Sequence, residues 1–383
     1  MEYTITEAKR KEYRKISNKS RKAKQAALAG NGHVPVHPIN TPKLDPEKLM
    51  PRLPDNGLRS LSLFSGCGGL DLGFDRTGFT HVASYDIIPV CGQTISHNRP
   101  NWKVFSGAEE GDVRNVDWSA YRNKVDVIHG GPPCQPFSIS GQQKGAEDER
   151  NMWPQFIEAV LAINPRAFVA ENVPGMMSPK FSKFIQDEII STLKEYKIFM
   201  INLNAAHFGV PQNRKRVIFV GFRHGKDARN FVKPAPTHTF GHLMQRRQNT
   251  SLDDNLPRTM GVREALGLPD IGLDSLAPTI RSAFTGKRNT TSILNGSSGQ
   301  RMWANLQIWP SGVAENREMA KIYVPDNKHF RLSVQDCAII QGFPNSWKFK
   351  GAVYQILGQV GNSVAPPVAY AVAKSVADVL KKP

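Results

Sequence analysis

One cysteine in this sequence is held where a nucleophile would be useful. Cys134 follows an apolar run (125–129), two glycines and two prolines. The run predicts a buried strand that ends at the glycines, and the prolines fix a rigid, non-helical turn. Reactive groups in open α/β sheets lie at such strand ends. A lone cysteine in a loop is more often a small buried side chain, so the neighbouring motifs have to decide.

Charged side chains stand beside two later predicted strands. Glu171 comes directly after an apolar run, and Arg214 and Arg216 precede a strand predicted at 217–222. Because neighbouring parallel strands end at one edge of a sheet, Glu171 is expected beside Cys134. A carboxylate after a strand can also cap a helix, but beside a cysteine an acid/base role is favoured. The spacing of the two arginines favours side chains that turn inward.

A glycine-rich turn lies upstream of these groups. A strand predicted at 61–64 runs into the turn 65–69, where glycines let the backbone approach a ligand closely. Dinucleotide-binding enzymes use a similar turn, although Asp71 here replaces its third glycine. Asp86 ends the next strand-like run, where a carboxylate can accept hydrogen bonds from ribose hydroxyls.

In chain order, these motifs and a later Gly-Asn-Ser-Val segment (361–364) resemble the cytosine-5 DNA methyltransferases of bacterial restriction-modification systems. The resemblance covers about residues 61 to 372. It implies an α/β fold, with a Rossmann-like S-adenosylmethionine-dependent methyltransferase sheet and a smaller target-recognition domain. The implied activity is transfer of a methyl group from S-adenosylmethionine to carbon 5 of a flipped cytosine in a specific double-stranded DNA sequence. The implied role is protection of DNA in a restriction-modification system.

The resemblance also implies roles for individual catalytic residues. Cys134 is expected to add to carbon 6 of the cytosine, and Glu171 to protonate or hydrogen-bond ring nitrogen 3. Arg216 is expected at the exocyclic oxygen, and Arg214 is expected to steady Glu171.

The expected cofactor residues come from the glycine turn, two carboxylates with their neighbours, and the closing motif. Asp86 replaces the usual Glu, Ile87 stands where an aromatic ring often packs on adenine, and Asp112 is expected to bind the adenine amino group. Trp153 has helical spacing typical of a core residue and is also expected to edge the cofactor. The full set is Phe64, Ser65, Gly66, Gly68, Gly69, Leu70, Asp86, Ile87, Asp112, Val113, Pro132, Trp153, Asn362, Ser363 and Val364.

Sequence choice is expected to come from a variable region in which the βα pattern fades. Arginine reads guanine, and asparagine or glutamine reads adenine, although most such side chains contact phosphates only. A polar, glycine-bearing loop after Cys134 is expected to close over the DNA. The candidate DNA-binding residues are Ser138 and Gln143 in that loop, and Arg246, Arg247, Gln248, Arg281, Lys287, Arg288, Asn289 and Arg301 in the variable region.

We divide the chain into four parts on these grounds. They are a basic N-terminal tail and linker (1–57), a catalytic and cofactor-binding domain (58–222), a target-recognition region (223–330) and a C-terminal segment that returns to the catalytic domain (331–383). Within the tail, residues 1–28 carry nine Lys/Arg against three Glu and predict a helix ending near 30–32. An exposed basic helix is the simpler interpretation, and a DNA-contacting arm is the alternative. The six prolines of 33–57 indicate a linker.

Composition limits the class of protein. The 383 residues carry a formal charge of +17 and a pI near 9.8, which suits a polyanionic partner. The four cysteines are widely spaced and predict neither disulfides nor a metal site. No apolar run approaches the roughly 18 residues of a membrane span. We therefore expect a cytoplasmic, monomeric protein that binds double-stranded DNA and no membrane. A cognate restriction endonuclease would act on the same sequence without a stable complex.

Three other interpretations stay open at this point. The tRNA-modifying branch of the same family typically carries a Cys-Phe-Thr signature, which this sequence lacks. A nicotinamide dehydrogenase would share the glycine turn but has no use for Cys134 with Glu171. A non-catalytic DNA-binding module would have no need of an intact Pro-Cys-Gln and Glu-Asn-Val.

Overall fold

A seven-stranded sheet forms the centre of the chain. The computed structural model describes residues 6–31, 37–133, 151–243, 255–282, 284, 291–294, 296–322 and 327–381. Its strands are β1 (Arg59–Leu63), β2 (Thr80–Asp86), β3 (Val104–Ser106), β4 (Val127–Gly130), β5 (Ala167–Asn172), β6 (Lys197–Asn204), β7 (Gln212–Asn213), β8 (Lys215–Phe222), β9 (Ala277–Pro278), β10 (Ile308–Ala314) and β11 (Phe330–Ser333). The sheet order is β3-β2-β1-β4-β5-β8-β6, and only β8 runs against its neighbours. This mixed, mainly parallel sheet confirms the fold class expected from the sequence.

The order of the strands creates a crevice at one edge of the sheet. β1 lies between β2 and β4, so the chain leaves β1 in one direction and later returns on its other side. Ligands bind at such topological switch points, outside the carboxyl ends of the strands. The register brings these ends level, because Leu63 of β1 pairs with Tyr85 of β2 and with Gly130 of β4. Gly130 in turn pairs with Ala170 of β5.

The described residues also form twelve α-helices. They are α1 (Glu7–Leu28), α2 (Gly69–Arg76), α3 (Pro89–Asn98), α4 (Trp153–Ile163), α5 (Ser182–Phe184), α6 (Gly225–Asn230), α7 (Val262–Ala265), α8 (Ser297–Asn305), α9 (Arg317–Ile322), α10 (Val334–Gln341), α11 (Val353–Asn362) and α12 (Pro366–Leu380). The apolar sides of α2 and α12 share one hydrophobic cluster, whereas α4 belongs to another. The central strands β4, β5 and most of β8 are buried on both faces, and β5 and β8 accordingly read as mainly apolar runs. The predicted basic N-terminal helix is confirmed by α1.

A third hydrophobic cluster joins the C-terminal segment to the variable region. It contains Val262 of α7, Trp303 of α8, Ile340 of α10 and Leu357 of α11. Leu44 and Met50, from the stretch that the prolines indicated as a linker, are buried in the same cluster. The described part of that stretch, residues 37–57, is therefore packed onto the protein.

Hydrogen bonds fix this packed stretch at both ends. The buried amide of Asn40 donates to Leu266 O and to Asp336 Oδ1, both at 3.0 Å. Further along, Arg52 bonds to Asp75 of α2 at 2.7 Å. Asp336 also accepts from Arg317 Nε of α9 at 2.9 Å and closes a capping box with Ser333. These donors satisfy the buried carboxylate.

We predict that Met50→Ala lowers the free energy of unfolding by about 2–5 kcal/mol, because it leaves a cavity in a packed core. Met50 is fully buried, whereas Ile39 in the same stretch is 44% exposed. Ile39→Ala is the matched control and should change stability by less than about 0.5 kcal/mol. Urea denaturation of the three proteins compares them. Equal midpoints would show that residues 37–57 do not contribute to the core.

Candidate active site

A cavity of about 400 Å³ opens at the switch point of the sheet. Its volume lies within the roughly 300–1,000 Å³ of small-molecule sites. The segments that follow β1, β2, β4 and β5 line it, and so do the loop between α11 and α12 and the first residues of β8. β8 contributes because it is antiparallel, so its amino end meets the carboxyl ends of its neighbours. The expected residues that line it are Phe64, Ser65, Gly66, Gly69, Leu70, Asp86, Ile87, Asp112, Val113, Pro132, Glu171, Arg216, Asn362, Ser363 and Val364.

The glycine turn lets two distant segments meet at the cavity. A Cβ at Gly69 would lie 1.9 Å from Ser363 Oγ and 2.5 Å from Val364 O, so only glycine permits this approach. Gly68 begins α2 with a φ of 85°, in the left-handed region that favours glycine. Phe64 also has a positive φ, 53°, although it carries a side chain. Such strain is typical of functional turns, and here it occurs in the cavity wall.

Asp86 occupies the floor of the cavity at the end of β2. Its two oxygens accept from Gly66 N at 2.7 Å and from Ile88 N at 2.8 Å. Burial raises the pKa of Asp86 to about 6, and these backbone donors oppose the rise. The carboxylate is thus positioned by the backbone of the glycine turn and titrates near neutral pH.

The second carboxylate of the cavity, Asp112, has a different environment. Arg114 donates to it from Nε at 2.9 Å and from the guanidinium end. This bidentate contact holds the pKa of Asp112 below its usual value. Arg114 therefore occupies the oxygens that were expected to receive an adenine amino group, and a ligand that uses them has to displace or share this arginine.

Glu171 and Arg216 form an ion pair inside the cavity. Arg216 Nε lies 2.7 Å from Glu171 Oε1, and only 8% of the Glu171 residue surface is exposed. Burial raises the pKa of Glu171, and the positive charges of Arg216 and Arg214 oppose the rise. The group can therefore exchange a proton more readily near neutral pH than an exposed glutamate.

The contact that was expected between Arg214 and Glu171 is made by the other arginine. Arg216, not Arg214, makes the direct contact with Glu171. Arg214 is buried, and its guanidinium donates to the carbonyls of Gly361 at 2.9 Å, Ser363 at 2.7 Å and Ile280 at 3.4 Å. The physical reason is local: Arg214 lies between β7 and β8, where the chain turns, so its side chain points to the closing segment instead of the sheet edge.

The turn that leads to Cys134 is held by the neighbouring strand. Asn172, buried at the end of β5, donates to Pro132 O at 3.2 Å and accepts from Val173 N at 2.9 Å. Pro132 and Pro133 line the cavity together with Glu171. Cys134, Ser138 and Gln143 themselves lie outside the described residues.

Comparisons with known proteins agree on one family. The model of the C-5 cytosine-specific DNA methylases matches residues 58–378, which is most of the chain. The chain belongs to this family. It is 33% identical to the type II methyltransferase M.NgoMIV of Neisseria gonorrhoeae, covering 84% of this chain and 98% of that protein. It is 31% identical to M.FnuDI of Fusobacterium nucleatum, covering 84% and 95%. The protein is therefore a DNA (cytosine-5) methyltransferase.

Solved structures show the same fold. A putative DNA modification methyltransferase encoded within a prophage (E. coli) superposes with a TM-score of 0.54 at 23% identity, over 85% of this chain and all of that one. A DNMT2 mutant of Spodoptera frugiperda gives a TM-score of 0.54 at 20% identity, over 83% of this chain and 99% of that one.

Two of the expected cofactor residues of this methyltransferase do not line the cavity. Trp153 is fully buried and packs edge-on against Phe156 and Phe219 in the core, because it starts α4 on its apolar side. The described cavity wall does not include Trp153, so its expected contact with the cofactor stays a prediction without support from the cavity. Gly68 lies behind the turn, where a Cβ would meet the Trp347 ring at 3.0 Å.

The expected DNA-contacting residues are only partly described. Arg281 and Arg301 are exposed, and Arg281 donates to Leu294 O at 3.2 Å. Arg246, Arg247, Gln248, Lys287, Arg288 and Asn289 lie outside the described residues. No helix in the described ranges is long and apolar enough to cross a membrane. In the same ranges, no group of three or more His, Cys, Asp or Glu side chains is arranged to hold a metal ion.

Several residues of the cavity wall were missed by the motifs, and Phe284 is the most informative. It lines the cavity although it belongs to the variable region. Its ring packs against α11, where a Cβ at Gly358 would lie 2.5 Å from the nearest ring atom. Two glycines three positions apart, Gly358 and Gly361, are the signal that another segment packs on this helix. The others include Ile88, Cys91, Arg114, Met152 and Gln359.

We predict that Gly69→Ala lowers both thermal stability and methylation, since the new methyl group would collide with Val364 O. Backbone shifts of this kind cost about 1–3 kcal/mol. Gly225→Ala at the start of α6 is the matched control, because its nearest atom would lie 3.6 Å away. Melting curves and incorporation of labelled methyl into DNA measure the two effects. Equal melting temperatures for both variants would contradict this packing.

Proposed function

We propose that this DNA methyltransferase takes its methyl group from S-adenosylmethionine and places it on carbon 5 of a cytosine flipped out of a specific double-stranded sequence. One observation carries the proposal: the Glu171–Arg216 pair shares a single cavity with Asp86 and with the prolines that lead directly to Cys134. Nucleophile, acid and cofactor carboxylate would then act on one small volume.

The cavity fits the proposed cofactor in size and chemistry. Asp86 can accept hydrogen bonds from ribose hydroxyls, and Asp112 can receive an adenine amino group once Arg114 moves or shares it. Phe64, Ile87 and Val113 supply apolar surface between the polar groups. When bound, S-adenosylmethionine supplies an electrophilic methyl group.

The residues of the chain would activate the cytosine. Carbon 5 is a weak nucleophile, so we assign Cys134 to add its thiolate to carbon 6 and make carbon 5 electron-rich. Negative charge then develops on the ring. Glu171, whose pKa burial raises, would donate a proton or hydrogen bond to ring nitrogen 3. Arg216 would orient Glu171 and stabilise the exocyclic oxygen. Once carbon 5 carries the methyl group, a base such as water would take the carbon-5 proton, and Cys134 would leave as the thiolate.

In this mechanism Arg214 would act by holding other residues in position. Its contacts to Gly361 and Ser363 hold the closing segment against the cavity. We therefore class it as a positioning residue, and Asn172 likewise, since it fixes the Pro132 carbonyl ahead of Cys134.

The biological setting is part of the proposal. The relatives named type II methyltransferases support a role in restriction and modification. In that setting the partners are double-stranded DNA and an endonuclease of the same specificity, which forms no stable complex with the enzyme. We further propose a cytoplasmic monomer and residues 223–330 as the region that selects the sequence. A stacked base is beyond reach of the cavity, so flipping would cost a few kcal/mol, offset by contacts to DNA.

We predict that Cys134→Ser abolishes methylation while leaving binding of DNA and S-adenosylmethionine within about threefold of wild type, because the hydroxyl is a poor nucleophile. The measurement is covalent trapping on DNA that carries 5-fluorocytosine, where fluorine blocks the final elimination. Wild type should form an adduct and Cys134→Ser none. An untrapped wild type would rule out the thiolate mechanism.

We predict that S-adenosylmethionine affinity rises with pH through about 6, the pKa of Asp86. The ionised carboxylate is the better acceptor for ribose hydroxyls, and it forms only above that pKa. Asp86→Asn should bind about 10–100-fold more weakly at neutral pH and lose the pH dependence. Asp86→Glu keeps the charge and is the control that should retain both. Calorimetric titrations between pH 5 and 8 test this, and a flat wild-type profile would contradict it.

A further inference from the structure

The N-terminal helix α1 is a surface that the catalytic mechanism does not use. Over 22 residues it extends roughly 33 Å at 1.5 Å per residue. Seven of its described side chains are exposed cations, and the acidic one among those described is Glu7. The cations are Arg10, Lys11, Arg14, Lys15, Lys19, Arg21 and Lys22.

The spacing of these cations destabilises the helical conformation of α1. Arg10 and Arg14 lie four residues apart, as do Lys11 and Lys15, so like charges stand one turn apart on the same face. Such pairs destabilise a helix. None of the described side chains of α1 is fully buried, so packing on the protein offsets little of this repulsion. An anionic partner along α1 would remove this repulsion, which a bare solvated face would leave in place.

The helix is attached at its C-terminal end. Ala23, Ala26 and Ala27 are half-buried there, and α1 contacts α9. α9 is itself fixed, because its Arg317 pairs with the fully buried Asp336. α9 also contacts β10 and β11, within and next to the region proposed to select the DNA sequence. The cationic surface of α1 is therefore attached, through α9, next to the region proposed to select the DNA sequence.

We propose that α1 contacts the phosphates of duplex DNA outside the recognised sequence. Its length is close to one turn of the duplex, about 34 Å. Lysine and arginine side chains along a helix of this length can contact several phosphates of one duplex. Such contacts need no particular base. The proposal rests on the proposed function only in that double-stranded DNA is the substrate.

The test measures binding of the full chain to a labelled DNA duplex of arbitrary sequence. Arg10→Gln, Arg14→Gln and Lys15→Gln are combined, since glutamine has a similar helix propensity. The matched control removes the same charge at exposed Lys124, Lys194 and Lys197, near the amino ends of β4 and β6 and away from the cavity edge. Affinity is measured over a range of salt concentrations.

We expect the helix variant to bind several-fold more weakly and its salt slope to fall by about 0.9 for each phosphate that α1 no longer neutralises. The control variant should keep the wild-type slope. Equal reductions in both variants would mean that net charge alone acts. An unchanged helix variant would mean that α1 is solvated or serves a protein partner. Either result overturns the proposal.

Methylation separates this proposal from the proposed function. At saturating DNA, the helix variant should methylate the same sites at the wild-type rate, as read by bisulfite sequencing. A changed pattern would show that α1 reads bases, against the proposal. If wild type itself transfers no methyl group to DNA, the proposed function fails, while the salt slopes still decide whether α1 is a DNA-contacting surface.

Discussion

A buried positive charge holds the active cavity together. The Arg214 guanidinium reaches carbonyl groups of Ile280, Gly361 and Ser363, which come from the variable region and from the closing segment. Removing a charge from water costs several kcal/mol unless hydrogen bonds replace the water. Arg214 is only 1% exposed, so its position depends on both segments being in place. The cost of an unpaired guanidinium thus ties the cavity to the region proposed to read DNA.

Much of the sheet and of the cavity could be predicted from sequence, because strands buried on both faces leave apolar runs and their ends meet at one edge. The side-chain partners could not. Spacing placed Arg214 and Arg216 inside, yet it does not say that the chain turns between β7 and β8 and sends Arg214 elsewhere. Trp153 shows the same limit, because helical periodicity identified it as core but gave no reason to place it at the cavity. The roles of Cys134 and Glu171 in catalysis stay predictions.

The proline-rich stretch shows how composition can indicate the wrong environment. Six prolines in residues 33–57 are typical of a linker, since proline has no backbone N–H to donate inside a helix or a central strand. The same residues suit an extended segment that packs through side chains, and Leu44 and Met50 do so. Individual apolar residues without periodicity leave no sequence pattern. Only the structure shows that residues 37–57 pack into the core whereas α1 does not.

Phe284 gives this organisation a thermodynamic consequence. Its ring is part of the cavity wall, while Arg281, three residues before it, is exposed in the region proposed to contact DNA. If DNA contacts this segment at Arg281, as proposed, a ligand that packs on the Phe284 ring would favour the same position of the segment. Coupling of this kind is reciprocal, so DNA held by the segment would strengthen ligand binding by the same factor. Because Gly358 and Gly361 of α11 have no side chains, the segment that contains Arg281 and Phe284 can lie close enough to the helix for this coupling.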